Sequence, residues 1–137
     1  ALGMGTVRLP ITSEYSGDVD VEQVHKIVET AMANGINYFD LGYDYHDFKA
    51  EALVAGSLLR YPRESYYLAD KFPGYYPKYL DKADEIFEQQ LKHCGVEYFD
   101  YFLMHAQSSN NYQKYCDCRA YEIGAADGRK EAHLQRN

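Results

Sequence analysis

The chain has 137 residues, 46% of them hydrophobic, which is enough for one domain with its own core. Its 21 acidic and 14 basic residues give a formal net charge of −7, which argues against a nucleic-acid or anionic-membrane surface. No apolar run approaches the roughly 20 residues that span a bilayer, and three cysteines do not suggest a disulfide framework. We therefore expect no nucleic-acid or membrane partner and a reducing, cytoplasmic location.

Helix and strand signals alternate from the start of the chain. A strand is predicted over residues 2–8. Asp20 with Gln23 forms a variant capping box, and the apolar residues that follow at spacings of three and four predict a helix. This helix is expected to end at Asn34-Gly35, because glycine adopts the left-handed conformation without penalty. A strand over residues 36–40 follows.

The same alternation continues through two further units. The predicted elements are a helix over 50–59, a strand over 65–71, a helix over 83–94 and a strand over 98–104. The third helix has an apolar face and again stops at a glycine, Gly95. The last strand is an almost continuous apolar run, which is typical of a strand buried on both faces of a parallel sheet.

The units recur about every 30 residues, and the strands at 35–40 and 95–100 share the pattern Gly-[Ile/Val]-x-Tyr-Phe-Asp. Helices that alternate with strands at this period predict right-handed crossovers and a parallel sheet. Eight such units form a barrel of roughly 250 residues. The predicted fold is therefore α/β, an incomplete (β/α)8 TIM barrel with about four parallel strands and three helices.

The end of the chain departs from this pattern. Between residues 107 and 137, the large aliphatic residues and phenylalanines are reduced to Ile123 and Leu134. Such a segment is not expected to form another buried βα unit. We divide the chain into a half-barrel, residues 1–106, and a polar tail, residues 107–137, which is either a surface tail or the product of a truncation or frameshift in a longer parent.

Polar residues stand where the predicted strands end. Asp40 closes the second strand, Lys71 the third and His105 the fourth, while Tyr45 lies five residues beyond Asp40 in a loop. Active sites of (β/α) barrels gather at the carboxyl ends of the strands. These four side chains are therefore expected to meet on one rim.

This set suits the reduction of a carbonyl group. A hydride that arrives at a carbonyl carbon leaves negative charge on the oxygen, so a proton donor must stand beside it. A tyrosine hydroxyl, with an ordinary pKa of about 10, is a weak acid at neutral pH unless an ammonium favours its phenolate form. Lys71 would do this for Tyr45, Asp40 would orient Lys71, and His105 would donate to the carbonyl oxygen.

Several stretches together resemble the N-terminal half of an aldo-keto reductase. They are residues 2–10, 37–40, 68–73 and 98–105, together with the spacing from Asp40 to Tyr45. The resemblance covers roughly residues 1–106. It implies an NADP-dependent oxidoreductase that reduces a small aldehyde or ketone, with Tyr45 as proton donor, Lys71 and Asp40 as its tuning pair, and His105 as substrate orienter.

The resemblance also implies a position for the cofactor, NADP(H). Gly5, Thr6 and Val7 match the first-strand segment beside the nicotinamide, and Asp40 belongs to the same group. Most cofactor contacts in the family come from later strands, so most of that binding site is expected to be missing from this chain. The alternative is a catalytically inactive half-barrel that self-associates through its open sheet edges or serves as a binding subunit.

Each residue also has a structural interpretation. Asp40 alone could cap its loop, Tyr43 competes with Tyr45, Lys71 could be solvated and His105 could be a core histidine. Departures from the family pattern occur at Leu41, Phe48 and Asp70, and Asp70 is expected to point away from the barrel centre. Asp100 is read as structural. The tyrosines interpreted as rim packing are Tyr66, Tyr67, Tyr75, Tyr76 and Tyr79.

A metal ligand set could be assembled from Asp44, His46, Asp47 and His105. Oxygen and imidazole ligands suit several divalent ions. These residues do not form a compact ligand motif, and Lys71 would oppose a cation. Cys116 and Cys118 lack the two-residue spacing of common zinc sites. No metal is predicted.

Overall fold

The computed structural model describes residues 2–13 and 17–126. Four parallel strands form one sheet in the order β1-β2-β3-β4. The strands are β1 (Gly3–Gly5), β2 (Tyr38–Asp40), β3 (Tyr67–Phe72) and β4 (Tyr101–Met104). This is the predicted half of a (β/α)8 barrel.

Helices connect the strands and follow the last one. They are α1 (Val21–Ala33), α2 (Ala50–Leu58), α3 (Ala83–Cys94), α4 (Tyr112–Asp117) and α5 (Ala120–Ala126), with 3-10 turns at Arg63–Ser65 and Pro77–Lys82. The three helices predicted before β4 are present. Within the described residues, no helix is both long and apolar enough to cross a membrane.

The ends of α1 and α3 follow from their sequences. The Asp20 side chain accepts a hydrogen bond from the Gln23 backbone N–H at 3.0 Å, as the capping box predicts. Gly35 and Gly95 follow the two helices with φ of 79° and 65°, in the left-handed region that favours glycine. Val24 and Val28, on the apolar face of α1, are buried in the hydrophobic core.

The strands are shorter than predicted, for local reasons. The Ile36 N–H bonds to the Ala31 carbonyl as part of the helix end, so β2 begins at residue 38. Residues 63–65 form a turn, so β3 begins at 67. Before β4, the Leu68 N–H donates to the Asp100 carboxylate at 2.8 Å instead of to a backbone carbonyl, so the regular strand pairing begins only at residue 101.

The described part of the tail packs on the sheet. Tyr115 of α4 is fully buried, with its ring 6.0 Å from that of Phe72, and Ile123 of α5 is buried too. The Tyr115 hydroxyl donates to the His105 carbonyl, which ties α4 to the end of β4. The division at residue 106 stays a prediction, and Leu134 lies outside the described residues.

Candidate active site

The carboxyl ends of β2, β3 and β4 bring the predicted polar residues together. Asp40 ends β2, Lys71 is the penultimate residue of β3, and His105 follows β4 with its N–H bonded to the Phe72 carbonyl at 3.0 Å. Adjacent parallel strands place these residues at one edge of the sheet. Tyr45 reaches the same edge from the loop between β2 and α2.

Asp40 and Lys71 form a close ion pair. Lys71 Nζ lies 2.5 Å from Asp40 Oδ1 and also donates to the Leu41 carbonyl. The backbone of Asp40 is held in turn by Thr6, whose N–H and hydroxyl donate to the Asp40 carbonyl at 3.2 and 2.8 Å. The ammonium is therefore fixed by two acceptors from the end of β2, and β1 supports that end.

Tyr45 faces both the ammonium and the imidazole. Lys71 Nζ lies 5.1 Å from the centre of the Tyr45 ring, and the Tyr45 hydroxyl lies 3.4 Å from His105 Nε2. The ring rests on Gly42, where an added Cβ would stand 2.6 Å from Tyr45 Cζ. Tyr43 points elsewhere, because its hydroxyl donates to Gln89 Oε1 of α3 at 3.0 Å.

His105 is adapted to remain neutral. Burial lowers its pKa, and the Lys71 ammonium lowers it further, while the carboxylates of Asp44 and Asp40 oppose the shift. A neutral imidazole carries one N–H and can donate it to a substrate oxygen. The His105 Nδ1 atom is buried and has no hydrogen-bond partner within the described part of the chain.

Tyr75 and Asp44 also lie in the site, whereas their sequence pattern predicts rim packing for Tyr75 and offers Asp44 only as a member of a metal set that is not expected to form. The Tyr75 hydroxyl donates to Asp44 Oδ2, and its ring stands edge-on to His105 at 4.9 Å. Burial and the hydrogen bond to Asp44 raise the pKa of Tyr75. The signal in the sequence is weak: a tyrosine four residues beyond Lys71, in the loop that leaves the same rim.

The proposed cofactor segment lies beside Asp40. Thr6 is buried and hydrogen-bonded to the Asp40 carbonyl, whereas the Val7 side chain is 57% exposed and presents apolar surface next to it. These residues fit the nicotinamide end of a cofactor, since an apolar ring could lie against Val7 next to the polar groups.

The four residues from which a metal site could be assembled do not come together as a ligand group. They are Asp44, His46, Asp47 and His105. His46 Nε2 accepts the Leu9 N–H at 2.8 Å, and Asp44 is bound by Tyr75. Over residues 2–13 and 17–126, no three His, Cys, Asp or Glu side chains are grouped as metal ligands.

Asp100 directly precedes β4, at the end of the strand opposite to His105, as expected for a structural residue. Its Oδ2 accepts from Arg63 Nη2 at 2.7 Å and from the Leu68 N–H. The Arg63 guanidinium also lies over the Tyr98 ring, 4.0 Å from its centre. This cluster closes the amino end of the sheet, away from the site.

The fold and site define a (β/α)8 half-barrel with its polar groups at the carboxyl ends of the strands. The family model described as "Aldo/keto reductase family" matches residues 1–123. The chain therefore belongs to the aldo/keto reductase family. No curated protein matches it in sequence.

Solved structures agree on the fold. A Pseudomonas aeruginosa protein described as an aldo-keto reductase matches with a TM-score of 0.72 and 22% identity over 93% of this chain and 51% of its own. An aldo-keto reductase from Klebsiella pneumoniae, in complex with NADPH, has a TM-score of 0.64 and 20% identity over 89% of this chain and 42% of its own. An aldo/keto reductase from Brucella melitensis has a TM-score of 0.64 and 19% identity over 93% of this chain and 45% of its own. The chain thus spans about half the length of these neighbours.

Proposed function

We propose that this chain carries the catalytic residues of an NADP(H)-dependent aldo-keto reductase that reduces an aldehyde or ketone to an alcohol. The observation that supports this most is the convergence of Tyr45 on both the Lys71 ammonium and the His105 imidazole at one rim. The cysteines are free thiols, which fits the cytoplasmic location that we expect.

The chain's own residues supply binding and proton transfer. His105, kept neutral, donates an N–H to the carbonyl oxygen of the substrate and fixes its position. Tyr45 releases its proton to the same oxygen as negative charge develops there. Lys71 stabilises the phenolate that remains, and Asp40 holds the ammonium in place at 2.5 Å. NADPH, when bound, supplies the hydride.

Gly5, Thr6, Val7 and Asp40 would hold the nicotinamide end of the cofactor. In this proposal Thr6 acts through its bonds to the Asp40 backbone, and Val7 contributes the exposed apolar surface. The NADPH in the Klebsiella pneumoniae structure is bound by a chain of which this one covers 42%. We therefore expect weak cofactor binding by these 137 residues alone.

The test is NADPH binding to the purified chain, measured by fluorescence, followed by turnover of an aldehyde. The Tyr45→Phe variant should bind NADPH as the wild type does and lose aldehyde reduction about 10²–10⁴-fold. Tyr43→Phe is the matched control, since its hydroxyl contacts Gln89 and not the site. Equal turnover by wild type and Tyr45→Phe would contradict the assignment of the proton donor.

The second candidate is a half-barrel that is inactive alone and pairs with a second copy. The sheet order leaves β1 and β4 at the edges, where backbone groups can pair with another strand. Beside β1, an open groove is lined by apolar residues that include Met4, Ile27 and Ile36. A second set of four strands would match the length that the neighbours add. A molecular mass in solution that remains that of a monomer at high protein concentration, measured by size-exclusion chromatography, would contradict this candidate.

A further inference from the structure

A buried polar cluster lies behind Lys71, between the sheet and helices α2 and α3. Glu51 of α2 and Asp70 of β3 are both fully buried, and the two carboxyl groups lie close enough for each to affect the pKa of the other. Gln90 Nε2 donates to Glu51 Oε1 at 3.2 Å, and His93 Nδ1 lies 2.7 Å from Glu51 Oε2. None of these groups contributes to the rim described above.

The cluster binds the peptide groups of Lys71. The last backbone bond from β2 to β3 joins the Leu41 N–H to the Ala69 carbonyl, so Lys71 lies beyond the paired part of β2. Its N–H donates to Asp70 Oδ1 at 2.8 Å, and its carbonyl accepts from Gln90 Nε2 at 3.1 Å. The backbone that carries the ammonium is therefore held by two side chains of the cluster.

Two ionised carboxylates are not compatible with this arrangement. Asp70 Oδ2 is buried and has no hydrogen-bond partner within the described residues, so as a carboxylate oxygen it would carry charge that nothing there satisfies, next to a second buried carboxyl group. Burial raises the pKa of Glu51 to about 7, and burial together with the Glu51 charge raises that of Asp70.

The other charged or titratable groups around the pair come from three elements. Asp44, in the loop before α2, adds negative charge and opposes ionisation of Glu51. On β3, the Lys71 ammonium favours ionisation of Asp70 but is itself paired with Asp40. On α3, Cys94 is a buried thiol whose pKa is raised by burial and by both carboxylates. His93 is partly exposed and connects Glu51 to solvent.

We propose that Glu51 and Asp70 hold one proton between them and that this acid–carboxylate pair positions Lys71 through its backbone. While the proton is present, Asp70 accepts the Lys71 N–H and Glu51 orients Gln90 toward the Lys71 carbonyl. When the pair loses its proton to water by way of His93, two adjacent buried anions repel each other and this support is disturbed. The catalytic meaning of the pair rests on the proposed function, whereas the shared proton does not.

The shared proton is measured without turnover. Carboxyl 13C signals of Asp and Glu side chains are followed against pH in the 137-residue chain. We expect Glu51 and Asp70 to titrate in two coupled steps, one of them about one pH unit or more above the ordinary pKa of a glutamate side chain. A single step for both carboxyls at ordinary values would overturn the proposal, whichever way the aldehyde assay turns out.

Two variants test the positioning role. Asp70→Asn keeps an acceptor for the Lys71 N–H and gives Glu51 a permanent donor, so the Glu51 titration should move down by about one pH unit or more. The Lys71 backbone amide signal should follow the pair's titration in the wild type and lose that dependence in the variant. Glu88→Gln, an exposed carboxyl-to-amide change on α3, should alter neither signal.

The link to catalysis is tested separately. If the chain reduces aldehydes, Asp70→Asn should shift the alkaline limb of kcat against pH while KM stays near the wild-type value. If the backbone amide signal of Lys71 does not change as the Glu51–Asp70 pair titrates, the positioning role is contradicted even when the shared proton is observed. An inactive chain whose Lys71 amide follows the pair would count against the proposed function alone.

Discussion

The Tyr45 hydroxyl lies 3.4 Å from His105 Nε2, with the two rings nearly perpendicular at 83°. This separation is long for a hydrogen bond. The two groups are therefore better placed to donate to a common acceptor than to bind each other. A carbonyl oxygen at that point would receive both hydrogens, and contacts that are loose without substrate commonly tighten when it binds.

The state of His105 gives the first prediction. Because burial and Lys71 lower its pKa below the ordinary 6.5, the imidazole should be neutral at pH 7 and should gain a proton only at more acidic pH. Its 15N ring shifts, assigned with a His105→Gln variant, would report the midpoint. Folding stability should accordingly decline as pH falls from about 6.5 through that lower midpoint, because the unfolded chain takes up the proton first. A midpoint above 6.5 would contradict the neutral donor.

Gly42 provides a test of the position of Tyr45. In Gly42→Ala the new methyl group would stand 2.6 Å from Tyr45 Cζ, so the ring must leave its present position beside His105. We expect a loss of aldehyde reduction of about tenfold or more with the fold retained. Gly56→Ala in α2 meets nothing within 4 Å and should stabilise the chain by about 0.5–1 kcal/mol without loss of activity. Circular dichroism and steady-state rates would separate the two outcomes.

The Arg63–Asp100 pair leads to a prediction about stability. Asp100 is 8% exposed and accepts from both Arg63 and the Leu68 N–H, so Asp100→Ala leaves the buried Leu68 N–H without an acceptor and removes the anionic partner of Arg63. We expect the free energy of unfolding to fall by at least about 2 kcal/mol. Urea denaturation measures this, and Lys26→Ala, which breaks an exposed pair with Glu22, should leave stability nearly unchanged. Equal effects of the two variants would show that Asp100 is not structural.

Local patterns made part of this fold predictable. The start of α1 is predictable from its capping pair and its end from Gly35. The repetition of helix and strand along the chain then predicts parallel strands, with polar residues at their carboxyl ends. That logic located Asp40, Lys71 and His105 at one rim without any knowledge of contacts. The strand bounds moved, because side chains such as that of Asp100 replace backbone pairs at the strand ends.

Pairings between distant loops were beyond local patterns. Nothing near Asp44 indicates that Tyr75, 31 residues away, would donate to it. The few aliphatic residues of the tail do not predict a buried segment, whereas the Tyr115 ring is fully buried against Phe72. Alternation did predict that Asp70 faces away from the barrel centre, but Glu51 as its partner on α2 could not be read from the sequence.

The buried Glu51 gives the last prediction, on the pH dependence of stability. Its pKa rises from an ordinary 4.5 to about 7 on folding, so the folded chain holds a proton that the unfolded chain has already lost between these values. The free energy of unfolding should therefore fall as pH rises from about 4.5 through about 7. In Glu51→Gln this contribution disappears, so the variant should gain stability relative to the wild type between about pH 5 and about pH 8. Urea denaturation of both proteins at the two pH values measures the difference, and a stability gap that does not change with pH would mean that Glu51 is ionised in the folded chain.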